Sequence, residues 1–267
     1  MKSSILGLDG KQAGEIELPA QFSEDFRPDV IKRAYHSEAS YKFQPKGTFP
    51  IAGLQNTAEY YGRRHAWRQT INTGRSRLPR EKLSGGRSGR VMRVPHAVGG
   101  RRAHPPKPQK ILVERINLKE KNLAIRSAIS ATCDAAIVAS RGHKFNGVKL
   151  PLIVDSSLEQ VKKTSEIKKF FETLGLSQDL QRASEGRRMR SGRSRLRKGG
   201  YRTPKSVLVV VGEDKGIWRA GRNIPGVDVV PVDKLSAELL APGGQPARLT
   251  VWTADAIQKL ATDSLYM

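Results

Sequence analysis

The chain has 267 residues, 48 of them Lys or Arg against 25 Asp or Glu, which gives a net charge of +23. That length allows one α/β domain with large insertions or two small domains, and the single cysteine, Cys133, excludes a disulfide framework within the chain. No stretch approaches the roughly eighteen apolar residues of a membrane helix, and the opening MKSSILGLDGKQAG lacks the apolar core and cleavage site of a secretory signal, so a reducing cytoplasm is expected.

In chain order, residues 3–8 and 14–18 read as two short strands joined by a turn at Asp9-Gly10. Pro28 suits a first helical turn, and Val30, Ile31, Ala34, Tyr35 and Ala39 then recur at helical spacing, predicting a helix over 28–41. Thr57 to Arg68 predicts a short helix, because Tyr60, Arg64, Trp67 and Arg68 fall on neighbouring turns. Leu123 to Ala139 predicts one long helix with a stripe of Ile125, Ala128, Ile129, Cys133, Ala136 and Ile137, ended at Gly142. Cys133 in that stripe reads as a small core residue and His143 as a helix C-terminal residue favoured by the dipole. Residues 150–154 form an apolar run. Ser156 to Glu159 then reads as the capping box of a helix whose inner face is Ile167, Phe170, Phe171 and Leu174, stopped by Gly175. Further strands are predicted at 207–211, 227–230 and 249–252, with helices over 215–221, from a cap at Asp233 to Leu240, and from a cap at Thr253 to Ala261. These four later strands are continuous apolar runs, as expected of strands buried on both faces. The predicted fold class is α/β, a three-layer α/β/α body with a mostly parallel sheet.

The charge is segregated. Residues 46–110 hold fifteen Lys and Arg against Glu59 and Glu81, and residues 182–205 hold ten against Glu185; the other 178 residues carry a net +1. The first run is rich in Gly and Pro and poor in aliphatics, so it cannot bury enough apolar surface to offset the entropy of ordering itself. The expected organisation is a globular domain of 1–45 and 111–267, a long extended basic internal loop at 46–110, and a second, shorter basic insertion at 182–205. Segregation this sharp points to a polyanion, most often nucleic acid. Arg outnumbers Lys in both runs, eleven to four and eight to two, and its planar fork grips phosphates and stacks on bases. Phe43, Phe49, Tyr60, Tyr61, Trp67 and Tyr201 interleave as stacking surfaces.

Signals for chemistry are weak. Neither G-x-G-x-x-G after a strand nor G-x-x-x-x-G-K-[ST] is present, and Gly85 to Arg90 follows no predicted strand and opens no predicted helix. The five histidines, His36, His65, His96, His104 and His143, have no metal-ligand spacing. Glu213-Asp214 follows a predicted strand, but reads as the acidic first turn of the next helix. No catalytic residue, metal or cofactor is expected. Three readings stay open on residues alone: a structural RNA-binding protein, an RNA-acting α/β enzyme with basic substrate-binding arms, and a DNA-packaging protein. Internal placement of the basic runs argues against the last.

Particular stretches carry a resemblance: WRQTINTGRSR (67–77), GGRSGR (85–90), GGRRAHPPK (99–107), IRSAISAT (125–132), ARGH (139–143), RMRSGRSRLRKGGYRTPKSVLVV (188–210), EDKGIWRAGRNIPGVDV (213–229) and LAPGGQPARLTVWTADAIQKL (240–260). With these, the chain resembles the family of ribosomal protein four of the large subunit, in its archaeal and eukaryotic branch. A chain ending at Met267, without the long basic extension of eukaryotic members, implies the archaeal form. The resemblance implies a structural constituent of the large ribosomal subunit that binds rRNA and whose loop penetrates it, reaching at most roughly 100 Å. Its implied rRNA-binding residues are Arg63, Arg64, Trp67, Arg68, Arg75, Arg77, Arg80, Arg87, Arg90, Arg93, His96, Arg101, Arg102, His104 and Lys107, then Arg187, Arg188, Arg190, Arg193, Arg195, Arg197, Lys198 and Arg202. The implied loop tip at the narrow part of the nascent-peptide exit tunnel is Ser84, Gly85, Gly86, Arg87, Ser88, Gly89 and Arg90. Implied partners are large-subunit rRNA, neighbouring ribosomal proteins and the nascent peptide, with no membrane and no homo-oligomer.

Overall fold

The computed structural model describes residues 2–145, 147–197 and 199–267; Lys198, among the expected rRNA contacts, lies outside them. The chain divides into two compact units, Met1–Lys42 with Val113–Met267, and Phe43–Leu112. The first, the body, begins with strands β1 (Lys2–Leu6) and β2 (Gln12–Glu17) and helix α1 (Pro28–Ser40). Pro28 occupies the first turn of α1 with Asp29 beside it, which suits both the fixed φ of proline and the helix dipole. The second unit holds β3 (Arg80–Lys82) and β4 (Ser88–Val91).

Back in the body come α2 (Leu118–Ala131), α3 (Ala135–Ser140), β5 (Leu152–Val154), α4 (Thr164–Thr173) and α5 (Ser177–Glu185). They are followed by β6 (Arg188–Met189), β7 (Tyr201–Arg202), β8 (Leu208–Val211), α6 (Ile217–Gly221), β9 (Asp228–Pro231), α7 (Ala237–Leu240), β10 (Thr250–Thr253) and α8 (Ala254–Thr262). Six strands form one sheet in the order β2-β1-β5-β10-β8-β9. The β1–β2 pair is antiparallel and every other pairing is parallel, for example Val251 with Val209 and Leu152.

Alternate residues of the central strands feed two cores. Leu152, Val154, Val209, Val211 and Val251 pack with Val138 of α3, Phe170 and Phe171 of α4 and Ile217 of α6. Ile153, Leu208, Val210 and Trp252 pack with Ile31 of α1, Ile125 and Ile129 of α2 and Ile257 of α8. The Phe22 ring stands edge-on to Trp252 at 5.1 Å. A sheet with a core on each face is the three-layer α/β arrangement, and it explains why β5 and β8 are apolar at every position.

Several local expectations are corrected. No helix spans 57–68: Glu59 bridges Arg80 as extended backbone, and His65 and Arg68 take positive φ. The helix predicted over 123–139 is two, because it ends at Ala131 and Asp134 caps α3 by accepting the Ala136 N–H at 2.8 Å. Ala136 is consequently exposed. Cys133 is half-buried against the second core, and burial pushes its thiol up to about 11. The predicted capping box at 156–159 opens only a short 3-10 turn, and α4 starts afresh at Thr164. Ser236, not Asp233, caps α7. Helix α5, unforeseen, absorbs the first residues of the second basic run.

Glu159, taken from the sequence as a capping residue, is fully buried beneath the carboxyl ends of β8 and β10. It accepts the Gly212 N–H and the Thr253 hydroxyl, both at 2.8 Å, and Lys215 stands 3.4 Å away. Thr253 also caps α8, accepting from the Ala256 N–H at 3.3 Å. Thr253→Val removes a cap and one of the donors to a buried carboxylate. It is expected to cost about 2–3 kcal/mol, seen as a lower urea midpoint at unchanged m.

Candidate nucleic-acid interface

The 43–112 unit has almost no apolar interior: Ala58 and Thr70 are its only fully buried residues, and none of the hydrophobic cores includes any part of it. Polar contacts organise it instead. Strands β3 and β4 form an antiparallel hairpin, extended by the backbone bridge between Glu59 and Arg80 at 3.1 and 3.2 Å. The turn Ser84–Gly86 has Gly85 and Gly86 at φ 66° and 75°, a conformation that glycine adopts without steric cost.

Both acids of the unit are occupied. Glu59 pairs with Lys82 and accepts the Tyr61 hydroxyl at 2.5 Å, and these contacts, Lys82 first, hold its carboxyl below the usual range. Glu81 stands 3.5 Å from Arg90. The remaining cations therefore lack acidic partners within the unit, and this surface presents uncompensated positive charge.

The arginines fall into two groups. Arg68, Arg80 and Arg93 are half-buried and brace the unit: they donate to the Leu83 carbonyl at 2.8 Å, the Ser76 hydroxyl at 2.8 Å and the Asn56 carbonyl at 3.2 Å. Arg63, Arg64, Arg75, Arg77, Arg87, Arg90, Arg101 and Arg102 are exposed, as are His96, His104 and Lys107. Trp67 is 73% exposed, with the Arg68 guanidinium 4.2 Å over its ring. A large exposed aromatic paired with a cation offers a stacking platform.

In the body, β6 and β7 form a second hairpin, with Arg188 opposite Arg202 and Met189 opposite Tyr201. Like charges directly opposed across strands are unfavourable unless an anion lies between them. Arg187 stacks on Tyr201 at 4.3 Å, and Arg188, Arg190, Arg193, Arg195, Arg197 and Arg202 are all exposed. Gly200 closes this hairpin at φ 71°, where a Cβ would lie 2.4 Å from the Arg195 carbonyl oxygen.

Sequence reasoning missed what the folded body adds. Arg141, Arg182 and Arg248, distant in sequence, converge beside the β6–β7 hairpin. His143 is buried there, hydrogen-bonded to Asp179, rather than merely ending a helix. Trp218 is 45% exposed, with Arg222 4.8 Å from its ring. Asp214, beside it, accepts the N–H groups of Gly216 and Trp218, but it stands before α6, which starts at Ile217 with no acid in its first turn, so the expected acidic first turn is corrected to a turn that precedes the helix.

No group of His, Cys, Asp and Glu among the described residues is arranged to hold a metal ion, and no helix among them is long and apolar enough to cross a membrane. An α/β body with two arginine-studded hairpins, one in a unit without an apolar core, has the build of a ribonucleoprotein component. The chain belongs to the ribosomal protein L4/L1 family, which it matches over residues 16–263. It is 46% identical over 260 residues to large ribosomal subunit protein uL4 of Methanocaldococcus jannaschii and to that of Archaeoglobus fulgidus, in each case across 97% of this chain and 98% of the relative. A Methanococcus maripaludis uL4 is 47% identical over 261 residues, with the same coverage. The relatives are archaeal, and the chain is accordingly a structural constituent of the large ribosomal subunit.

Proposed function

We propose that the exposed arginines of the 43–112 unit and of the β6–β7 hairpin bind large-subunit rRNA, and that the β3–β4 turn, Ser84 to Arg90, forms part of the wall of the nascent-peptide exit tunnel. The protein works in the cytoplasm, with rRNA and neighbouring ribosomal proteins as its partners and no catalytic step of its own. The observation that carries this reading is the fifteen-to-two excess of basic residues in a unit lacking a hydrophobic core, with both acids already paired. Such a surface gains stability from phosphates through counterion release and from stacking on unpaired bases.

Limited proteolysis tests it. The free chain is expected to be cut within 43–112 and 186–205 while the body resists, and both segments should become resistant in the presence of large-subunit rRNA. Equal resistance of all parts without RNA would contradict the reading. For the turn, a photoreactive group at Ser88 is expected to cross-link to a stalled nascent chain in assembled ribosomes. Its failure to do so, with a tunnel-wall control positive, would remove the tunnel assignment alone.

A further inference from the structure

An open cavity of about 880 Å³ lies in the body, walled by the end of α3, α5, the β6–β7 hairpin and residues 242–246. Seven of its lining residues are Lys or Arg and one, Glu238, is acidic. Asp179 pairs with Arg182 at 2.9 Å and Asp228 with Arg248 at 2.7 Å, so even with both of these added the cavity keeps an excess of four positive charges.

Part of this charge is fixed. Arg141 donates to the carbonyls of Gln245, Pro246 and Pro242. Burial first, then the neighbouring charges of Arg248 and Arg182, push its pKa down to about 10. Arg190 and Arg202 are exposed and have no acidic partner among the described residues. A concave surface with an excess of one sign of charge focuses its field on whatever enters. The lining also holds apolar and aromatic residues: Tyr35, Ile137, Pro204, Pro242 and Pro246. Cations set among flat apolar groups suit a phosphate and a base, and the volume lies within the roughly 300–1,000 Å³ of small-ligand sites.

We propose that this cavity receives one extruded nucleotide of structured RNA, its phosphate on Arg190 and Arg202 and its base against Tyr35 and the prolines. The proposal rests on the reading that the chain binds large-subunit rRNA, and adds a contact that does not involve the 43–112 unit.

The test uses the full chain and a large-subunit rRNA fragment. Ser140 lines the cavity and is exposed at the end of α3. Ser140→Trp therefore fills the hollow without removing a charge. By excluding the nucleotide and its phosphate it is expected to weaken binding at least tenfold, flatten the slope of log K against log salt by about one, and abolish a UV cross-link between RNA and the peptide holding Tyr35. Arg202→Gln should weaken binding and flatten that slope by about one. Thermal unfolding of both variants should match the wild type.

A Ser140→Trp protein that folds and binds like the wild type overturns the proposal while leaving the broader rRNA reading intact. Absence of wild-type binding would instead defeat that reading. A nucleoside monophosphate that raises the melting temperature at micromolar concentration, and that RNA cannot displace, would assign the cavity to a free nucleotide and also overturn the proposal.

Discussion

Asp179→Ala is expected to lower the unfolding free energy by about 3–5 kcal/mol, read as a fall in the urea midpoint with m unchanged. The carboxylate is fully buried and accepts four hydrogen bonds. His143 Nδ1 and the Lys144 N–H reach Oδ1 at 3.1 Å each, Arg182 Nε reaches the same oxygen at 2.9 Å, and the Ser206 hydroxyl reaches Oδ2 at 2.6 Å. These donors come from the loop after α3, from α5, and from the residue two before β8. Removing the acceptor leaves the buried Ser206 hydroxyl and His143 ring without it and leaves Arg182 uncompensated. Asp179→Asn, which keeps the shape but not the charge, should cost less than Asp179→Ala. A loss below about 1 kcal/mol for the alanine variant would show that this junction does not hold the body together.

The same cluster predicts a pH dependence. Burial alone would raise the Asp179 carboxyl, but hydrogen bonds from His143, Arg182 and Ser206 outweigh it and hold the group well below the usual range. Its contribution is therefore complete above the unfolded value of about 3.8 and is lost as pH falls below it toward the folded value. For His143, burial outweighs Asp179 and lowers the pKa, with the Arg182 and Arg141 charges adding to the effect. Below about 6.5 the unfolded chain takes up a proton that the folded chain refuses, so stability falls as pH drops through that window. Both groups destabilise the protein in acid, His143 first. His143→Gln is expected to flatten the change in urea midpoint between pH 7 and pH 5 and to leave the steeper loss near pH 3.

What the sequence made legible depended on how local the signal was. The run LVVV in β8 is buried on both faces, and no loop or amphipathic helix carries four such residues together. The exposed character of 43–112 followed from composition, since five scattered aliphatics between Thr73 and Pro108 cannot make a core whatever the backbone does. Helix α5 was hidden because SQDLQRASE is polar, with Leu180 and Ala183 on its inner face, and Arg182 was counted with the basic run that follows. The break between α2 and α3 was written at Asp134, a good cap, but the apolar stripe running through Cys133 masked it. The spacing of Tyr60, Arg64, Trp67 and Arg68 imitated a helix only because it ignored Gly62, which interrupts one, and the pairing of Glu59 with Arg80 twenty-one residues on. The arginine cavity was beyond reach for a different reason. Arg141, Arg182 and Arg248 lie far apart in the sequence and meet only in the folded body, and although Arg182 and Arg202 belong to a basic run, nothing in the sequence places Arg141 or Arg248 beside them.

Replacing Arg188, Arg193, Arg195 and Arg197 together by Gln is expected to weaken binding to a large-subunit rRNA fragment by about 10³-fold at 0.15 M salt, and to flatten the slope of log K against log salt by three to four. The magnitude follows from counterion release. Each phosphate contact contributes a slope of about 0.9, so at 0.15 M it is worth roughly fivefold relative to 1 M, and four independent contacts multiply to roughly 10³. These four are chosen because they are exposed on or beside the β6–β7 hairpin and form no ion pair among the described residues. Their loss removes like-charge repulsion rather than a stabilising contact, so the urea midpoint should hold or rise slightly. Arg33→Gln provides the control: Arg33 pairs with Glu120 at 2.8 Å on the body surface, and its loss should leave the salt slope alone. Arg68, Arg80 and Arg93 give the opposite contrast, since each holds a group of its own unit and its replacement should loosen that unit before it weakens binding. If the fourfold variant kept the wild-type slope, the hairpin arginines would not be touching phosphate, and the positive charge of residues 186–205 would need another explanation.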